Sequence, residues 1–579
     1  MKSPSEQTLG VADKFLHLIE SVPGSDRLLL RIAFLVVVGT GIWLLLSINQ
    51  QYSAVTPTKG GSFTEGILGT PRFVNPVLAL TRADQDVTAL VYSGLMKIGA
   101  DGNLVPDAAE SVTVSEDGLT YNVVLRTDVY FHDDTPLTVE DVIYTLQLIQ
   151  DPDLKSPLRG NWTDVVIEKV GEHELNIILE EAYAPFIENF TFGIMPAHLW
   201  SSLPIEQLPF SQLNTEPIGS GPFKVIAAKR DTSGIINHYT LAAFRNNAAN
   251  PNIDTIELSF YQSEEQLLTA LEKQEIDATT YVTTNQVQDQ LSSPYTLIER
   301  PLPRTFGIFF NQNKSIVLRD SAVREALTLA LDRDVLIEDA LFGHGVPIFE
   351  PTTLLATTIE SDDSLNDSAT STPRERAIHI LEEGGWKRSD TGPWEKEIDD
   401  TDVTLRITIR TSSVPLFESL INAIVTQWEA IGVEVVTEQF EQTGLVTSVI
   451  RPRDFEALLF GLDMNRSGDL YPFWHSSQQD DPGLNIAQYA NSAVDELLET
   501  ARTEQEMSVR LETLQKASNL ISSEYPAIFL FQPTLTYIVN EKVTVTGMNG
   551  LGKPSDRWNN ITEWHTESDS LWPTFRDDV

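Results

Sequence analysis

The 579-residue chain contains no cysteine. That absence removes disulfides, thiolate zinc centres, iron–sulfur clusters, cysteine nucleophiles and lipid attachment through an N-terminal cysteine. Anything that holds the chain to a membrane has to be peptide. Basic residues are scarce: 40 Lys and Arg stand against 83 Asp and Glu, for a formal net charge of −43 and a pI near 4.4. Such a field repels phosphate backbones, so no nucleic-acid partner is expected. The nine histidines are scattered and never share a helix face at i, i+3 or i+4, which leaves a zinc centre without support. Phosphate-cradling G-x-x-x-x-G-K-[ST], G-x-G-x-x-G between strand and helix, H-E-x-x-H and G-x-S-x-G are all missing. The composition, 41% hydrophobic and 21% charged, is that of a folded chain, and at about 150 residues per domain it predicts three or four units.

Residues 28–48 read LLLRIAFLVVVGTGIWLLLSI, with Arg31 the only charge. At 1.5 Å per residue this stretch rises about 31 Å, enough to cross a hydrocarbon core, with Arg31 snorkelling at one end and Trp43 suited to an interfacial belt. No A-x-A cleavage pattern follows Ile48, so the expectation is an uncleaved anchor. Arg27 and Arg31 flank its start, whereas the next basic residue after it is Lys59; this bias puts 1–27 in the cytoplasm and the body outside. Before the anchor, Leu9, Phe15, Leu16 and Ile19 form a short amphipathic pattern broken at Pro23-Gly24. After it, 49–61 (NQQYSAVTPTKGG) reads as a polar tether, and the folded body starts near Ser62.

From Ser62 onward, strand-like runs (121–125, 175–179, 255–260, 404–409, 457–460) alternate with helical spacing (139–149 after Thr138, 264–273 after Ser263, and 492–523). The prediction is a mixed α/β architecture, with the Ser-, Asp- and Thr-rich 357–372 as a surface loop. His132-Asp133-Asp134 reads as a polar turn leading into the helix capped by Thr138. Gly219-Ser220-Gly221-Pro222-Phe223 lacks the Lys-Ser/Thr pair of a phosphate loop and reads as a tight backbone crossing between domains. Residues 460–478 (FGLDMNRSGDLYPFWHSSQ) end a strand, then offer Asp463, Asn465, Arg466 and Asp469 beside Tyr471, Phe473 and Trp474. Charges next to rigid aromatics on a loop are the ingredients of a cleft for an amphipathic ligand.

The order of these pieces resembles the extracellular solute-binding proteins of ABC transporters, family 5, which carry oligopeptides, dipeptides and nickel complexes. The resemblance runs from Asn75-Pro76 through Leu95, Asp101-Gly102 and Val105-Pro106-Asp107-Ala108-Ala109-Glu110 to Asp117-Gly118-Leu119-Thr120-Tyr121. It continues with Leu125-Arg126, Val129-Tyr130-Phe131-His132-Asp133, Pro136-Leu137-Thr138-Val139-Glu140-Asp141-Val142 and Gly219-Ser220-Gly221-Pro222-Phe223. Val323-Arg324-Glu325-Ala326-Leu327, Asp332-Arg333 and Glu524-Tyr525-Pro526 complete it. Asp134 and Gln274 stand where the family usually has glycine, and both are expected to change local backbone geometry rather than the fold.

The resemblance implies an α/β, periplasmic-binding-protein-like two-lobe fold with an inserted extra domain, preceded by one transmembrane helix. Lobe I is then 62–96, 213–305 and 527–560, domain II is 97–212, lobe II is 306–526, and 561–579 is a C-terminal tail. It further implies a binding protein without cofactor or catalytic residues, which closes over a peptide or other small solute and delivers it to ABC permease subunits. The ligand residues it implies are Glu65, Ile67 through its backbone, and Gly461, Leu462, Asp463, Asn465, Asp469, Tyr471 and Trp474. Asn465 falls where relatives place the Asp that pairs with a peptide α-ammonium, and it cannot supply that charge. Three other readings remain: an oligosaccharide stacked on Trp474 and Tyr471, a ligand-sensing ectodomain without transport, and a hydrolase.

Overall fold

Residues 457–460, read as a strand, and the segments 306–310 and 527–531 are apolar at nearly every position, which suits strands covered on both faces rather than one. The computed structural model describes residues 23–52, 54–246, 250–282, 294–351, 372–389 and 392–571, and it places these runs side by side. Strand Arg304–Phe310 lies between Ala457–Asp463 and Ala527–Asn540, antiparallel to both. Successive side chains alternate between two cores. Ile308, Phe310, Ala457, Leu459 and Ile528 enter one core, under the helices Ser321–Leu329 and Pro415–Ala430. Phe309, Leu458, Ala527 and Phe529 enter the other, under Ser492–Thr503 and Met507–Glu524. A register shift opposite Phe306 and Gly307 then sends Leu530 and Phe531 into the same core. The helical spacing of 492–523 is therefore two helices, separated where Glu504 closes the first and Glu506 caps the second.

Ala527–Asn540 does not stop at this half of the sheet. Its far end pairs with Tyr295–Pro301 and Ala278–Thr279, and Ala278–Thr279 pairs with Ser62–Leu68. Thr255–Tyr261, Ile236–Ala243 and Phe223–Arg230 complete that side, over a core that includes Phe63, Ile67, Leu258 and Trp558. Two chain passages, near 301–304 and 531–534, thus carry one half-sheet into the other. A separate four-stranded sheet, in the order Ala109–Val114, Thr120–Leu125, Glu174–Ile178, Val166–Lys169, holds a fourth core of Tyr121, Trp162, Phe186, Phe190 and Phe192.

The turn motifs have physical roles. Asp141 accepts from the Thr138 N–H at 2.8 Å, a capping box at the start of Val139–Gln150, and Ser263 accepts from Gln266 N at the start of Glu264–Glu272. Arg324 donates to the carbonyls of Glu524 and Tyr525, the otherwise unpaired end of the helix before Pro526. Asp134 and Gln274 take φ of 66° and 57°, so they hold the left-handed conformation a glycine would adopt, and the backbone course expected to change there is kept. At Gly221 an added Cβ would meet the Val91 carbonyl carbon at 2.5 Å, so the glycine-rich segment is indeed a close backbone crossing. His132 secures it. The Gly219 N–H donates to Nδ1 at 3.3 Å, which leaves Nε2–H to reach Gly221 O at 3.1 Å. Burial pushes the imidazole pKa down to about 4, and Lys224 adds to the effect.

A charged cluster sits wholly inside the core that holds Phe63 and Trp558. Arg557, with no exposed surface, donates to Glu65 Oε1 from Nη2 at 2.5 Å and from Nε at 3.1 Å, and to Asp86 Oδ1 at 2.6 Å. Tyr537 donates to the other Glu65 oxygen at 2.9 Å, and Tyr281 to the other Asp86 oxygen at 2.7 Å. Burial raises the Glu65 carboxyl above its ordinary range, against the pull of Arg557. Burial also works against the Arg557 charge, but Asp86 and Glu65 outweigh it and keep the guanidinium ionised.

Outside this body, as a separate unit, the chain forms the helix Gly24–Tyr52 and an antiparallel pair of Ala54–Thr58 with Glu567–Leu571. Among the described residues this is the one helix long and apolar enough to cross a membrane. The 49–61 stretch, read as a tether without structure, instead continues the helix to Tyr52 and then enters a strand. Its partner lies some five hundred residues away, beyond the reach of local periodicity. The amphipathic pattern at Leu9 to Ile19 lies outside the described residues, as does all of 357–372 except Thr372, which caps Pro373–Glu383.

Two outcomes are expected. Because the folded His132 pKa lies below its unfolded value near 6.5, its contribution is complete above that pH and is lost as the pH falls towards 4. The melting temperature gap between wild type and His132→Gln should therefore narrow from pH 7.5 to pH 4.5 in a calorimetric series. Arg557→Met leaves two buried carboxylates without their cation and should cost about 3–5 kcal/mol. That penalty grows as the pH rises, since unpaired buried carboxylates are tolerated only when protonated; unfolding at pH 5 and pH 8 measures it.

Candidate functional site

A cavity of about 1040 Å³ opens where three of the four cores meet. Its first wall is Leu80, just before the helix Arg82–Val91, and Arg82 and Gln85 in its first turns, with Thr280, residues 534–536 of the long strand, and Gly552, Lys553, Pro554 and Asp556. Its second wall is Leu302, Arg304, Arg502 and the loop after strand Ala457–Asp463, and its third includes Asn161, Tyr183, Phe186 and Glu188.

The structure divides the residues that the sequence singled out. Asp463, Asn465 and Asp469 line the cavity together. Gly461 and Leu462 precede them on the strand; Gly461 passes so close to Phe306 that a Cβ would meet the ring at 2.9 Å, and Leu462 is buried in the core. Trp474 is 1% exposed and packs against Phe309, Tyr489 and Phe529. Tyr471 stacks on His475 with ring centroids 4.1 Å apart and lines a smaller cavity of about 440 Å³. Glu65 and Ile67, both fully buried, stand behind the first wall rather than in it.

Every carboxylate of the cavity is engaged. Asp463 is 3.4 Å from Arg304, its cross-strand partner. Asp469 is 3.3 Å from Arg502 and accepts the Tyr471 N–H at 3.0 Å; burial raises its pKa, and Arg502 opposes that. Arg502 lies against the rings of Tyr183 and Tyr471, 4.7 and 4.3 Å from their centroids. Glu188 receives Arg466 Nε at 2.9 Å, and the same guanidinium donates to Gly102 O at 3.0 Å and to Gly550 O, so one side chain ties the 463–473 loop to two other parts of the rim. Asp556 accepts the N–H groups of Gly552 and Lys553 at 2.9 and 3.0 Å.

Arg82 is held differently. Its guanidinium lies 4.2 Å from the Tyr281 ring centroid and donates to Thr280 Oγ1 at 3.0 Å. Through Tyr281 and Asp86 it is the outer end of the Arg557 network. Sequence reading missed Arg82, Arg304, Arg502 and Lys553, because their nearness to the loop arises only from tertiary contacts; Arg466 was visible within the loop itself. No histidine lines the cavity. Among the described residues no group of three His, Asp or Glu is placed to hold a metal ion.

Comparison with known proteins agrees with this geometry. Residues 103–482 match the family described as bacterial extracellular solute-binding proteins, family 5 middle. The oligopeptide-binding protein AppA of Bacillus subtilis is 27% identical over 498 residues, covering 84% of this chain and 88% of AppA. The structure of that protein in complex with a nonapeptide superposes with a TM-score of 0.61 at 25% identity, over 88% of this chain and 99% of the other. The ABC transporter substrate-binding protein CtaP of Listeria monocytogenes gives 0.69 at 24% identity, over 88% and 100%. The extent of the family match settles the assignment: the chain belongs to the bacterial extracellular solute-binding proteins of family 5.

Proposed function

We propose that this chain captures peptides outside the cell as the solute-binding component of an ABC importer, without chemical change to the ligand, and passes them to permease subunits. The observation that carries this reading is the cavity shared by three separately cored parts of the body, two of which are joined by only two strand passages. Passages of that kind form a hinge, and a hinge beside a cavity lets two walls close on a solute and exchange its hydration for protein contacts. At about 1040 Å³ the cavity lies at the upper end of ordinary small-ligand sites, roughly 300–1,000 Å³, which suits a solute larger than one amino acid. Its carboxylates are tied to cations or to backbone amides rather than to a nucleophile, in keeping with binding rather than catalysis.

In this reading 62–96, 213–305 and the far part of 527–560 form one jaw, 306–526 the other, and 97–212 the added domain. The helix Gly24–Tyr52 is the tether, with the body on the extracytoplasmic side. Asp463, Asn465 and Asp469 face the solute. The oligosaccharide alternative has no specific support, since Trp474 is spent in the core and Tyr471 faces the smaller cavity.

The test is a thermal-shift series on the full chain in detergent, against peptides of three to nine residues and oligosaccharides of matched mass. Peptides at about 100 times their Kd should add about 2.7 kcal/mol of stability, and the peptides should be recovered intact. Stabilisation by oligosaccharides alone, or recovery of cleaved peptide, would overturn the proposal.

A further inference from the structure

The exterior of this chain is strongly acidic, with a net charge of −43, yet its cavity is not. The four carboxylates that line it are each already bound, three to an arginine and Asp556 to two backbone amides. Two lining cations, Arg82 and Lys553, have no carboxylate partner among the described residues. Asp86, one turn along the helix from Arg82, is directed inward to Arg557 and the Tyr281 hydroxyl. Among the described residues each lining carboxylate has a cation or amide partner, whereas Arg82 and Lys553 form no ion pair and can meet a ligand anion. Asn465, also in the lining, is a neutral amide.

From this arrangement, and resting on the peptide-capture reading above, we infer that the preferred solute is an acidic peptide, with a carboxylate held between Arg82 and Lys553 and without a requirement for a charged amino terminus. Arg82 is suited to this because it is already oriented: the Tyr281 ring and Thr280 fix its plane before any ligand arrives, so little side-chain entropy remains to be lost. Arg304 approaches from the opposite wall. The cavity walls desolvate the Arg82 guanidinium and pull its pKa below the usual arginine value; Tyr281 and Asp86 oppose that pull, and the charges of Arg557 and Arg304 add a smaller contribution to it. An anion placed against Arg82 offsets the loss of its hydration; an ammonium does not.

The experiment is calorimetric titration of the full chain in detergent with three alanine-based pentapeptides at 150 mM salt. One is N-acetylated with a central glutamate and a free carboxyl terminus. The second has a central lysine, a free amine and an amidated end. The third is uncharged, acetylated and amidated. The acidic probe should bind at least about tenfold more tightly than the basic one, the size expected of one charge-assisted contact. Arg82→Gln and Lys553→Gln should each weaken binding of the acidic probe about tenfold and reduce that discrimination, with folding of the variants checked by circular dichroism. Equal or tighter binding of the basic probe overturns this inference and leaves peptide capture standing. Failure of all three probes and of longer peptides removes the peptide reading, and this inference with it.

Discussion

The guanidinium of Arg557 is the constraint on which the rest of the first lobe depends. It has no exposed surface, and a buried charge persists only where its donors are matched by fixed acceptors. Here two carboxylates, from the strand Ser62–Leu68 and the helix Arg82–Val91, supply them, and Tyr537 and Tyr281 occupy the oxygens that remain. The bond to Glu65 spans 492 residues of sequence. The first strand of the body is therefore complete only when nearly the whole body has folded, because until then Glu65 and Asp86 are buried charges without a counterion. The same network reaches the cavity through Tyr281 and sets the position of Arg82. An interaction that is expensive in isolation thus fixes the geometry of the wall a solute meets.

The second lobe is organised by apolar packing instead. Its central strands are covered on both faces, so each residue belongs to one core or the other and a one-residue slip would exchange them. The two half-sheets are joined by the passages near 301–304 and 531–534, and by contacts across the cavity rim. Of these, Arg466 is the most consequential, since its donors reach Glu188, Gly102 and Gly550 from a loop of the opposite wall. Any motion that separates the 463–473 loop from residues 97–212 has to break the bonds to Glu188 and Gly102.

Much of the fold was legible because it is written in local signals. Thr138 with Asp141 and Ser263 with Gln266 mark helix starts within four residues, and the alternation of strands and helices predicts the α/β class. Even Asp134 and Gln274 keep the left-handed turns in which glycine is usual. The site was legible only in part. Asp463, Asn465 and Asp469 do face the cavity, since a loop that follows a central strand has to emerge at its end. Trp474 does not, and Glu65 does not, because sequence alone does not reveal which aromatic is needed to fill a core or which carboxylate is already neutralised by an arginine hundreds of residues away. Arg82 and Lys553 carry no local mark at all; the fold brings them to one wall.

A chain with 83 acidic residues that favours an acidic solute looks contradictory until distances are considered. At physiological ionic strength the Debye length is about 8 Å, so carboxylates on the far surface of the body are screened from the cavity. A unit charge about 4 Å from a guanidinium in a partly enclosed site interacts with about 4 kcal/mol at an effective dielectric near 20, against about 1 kcal/mol in bulk water. The few side chains that line the cavity therefore decide what is held, and the many on the exterior decide how fast it arrives. Lowering the salt lengthens the reach of the exterior charge and slows the approach of an anionic peptide, while the contact with Arg82, formed inside the wall, changes far less. Net charge and site charge answer different questions, and only the second is set by the Tyr281 and Thr280 contacts that hold Arg82 in place.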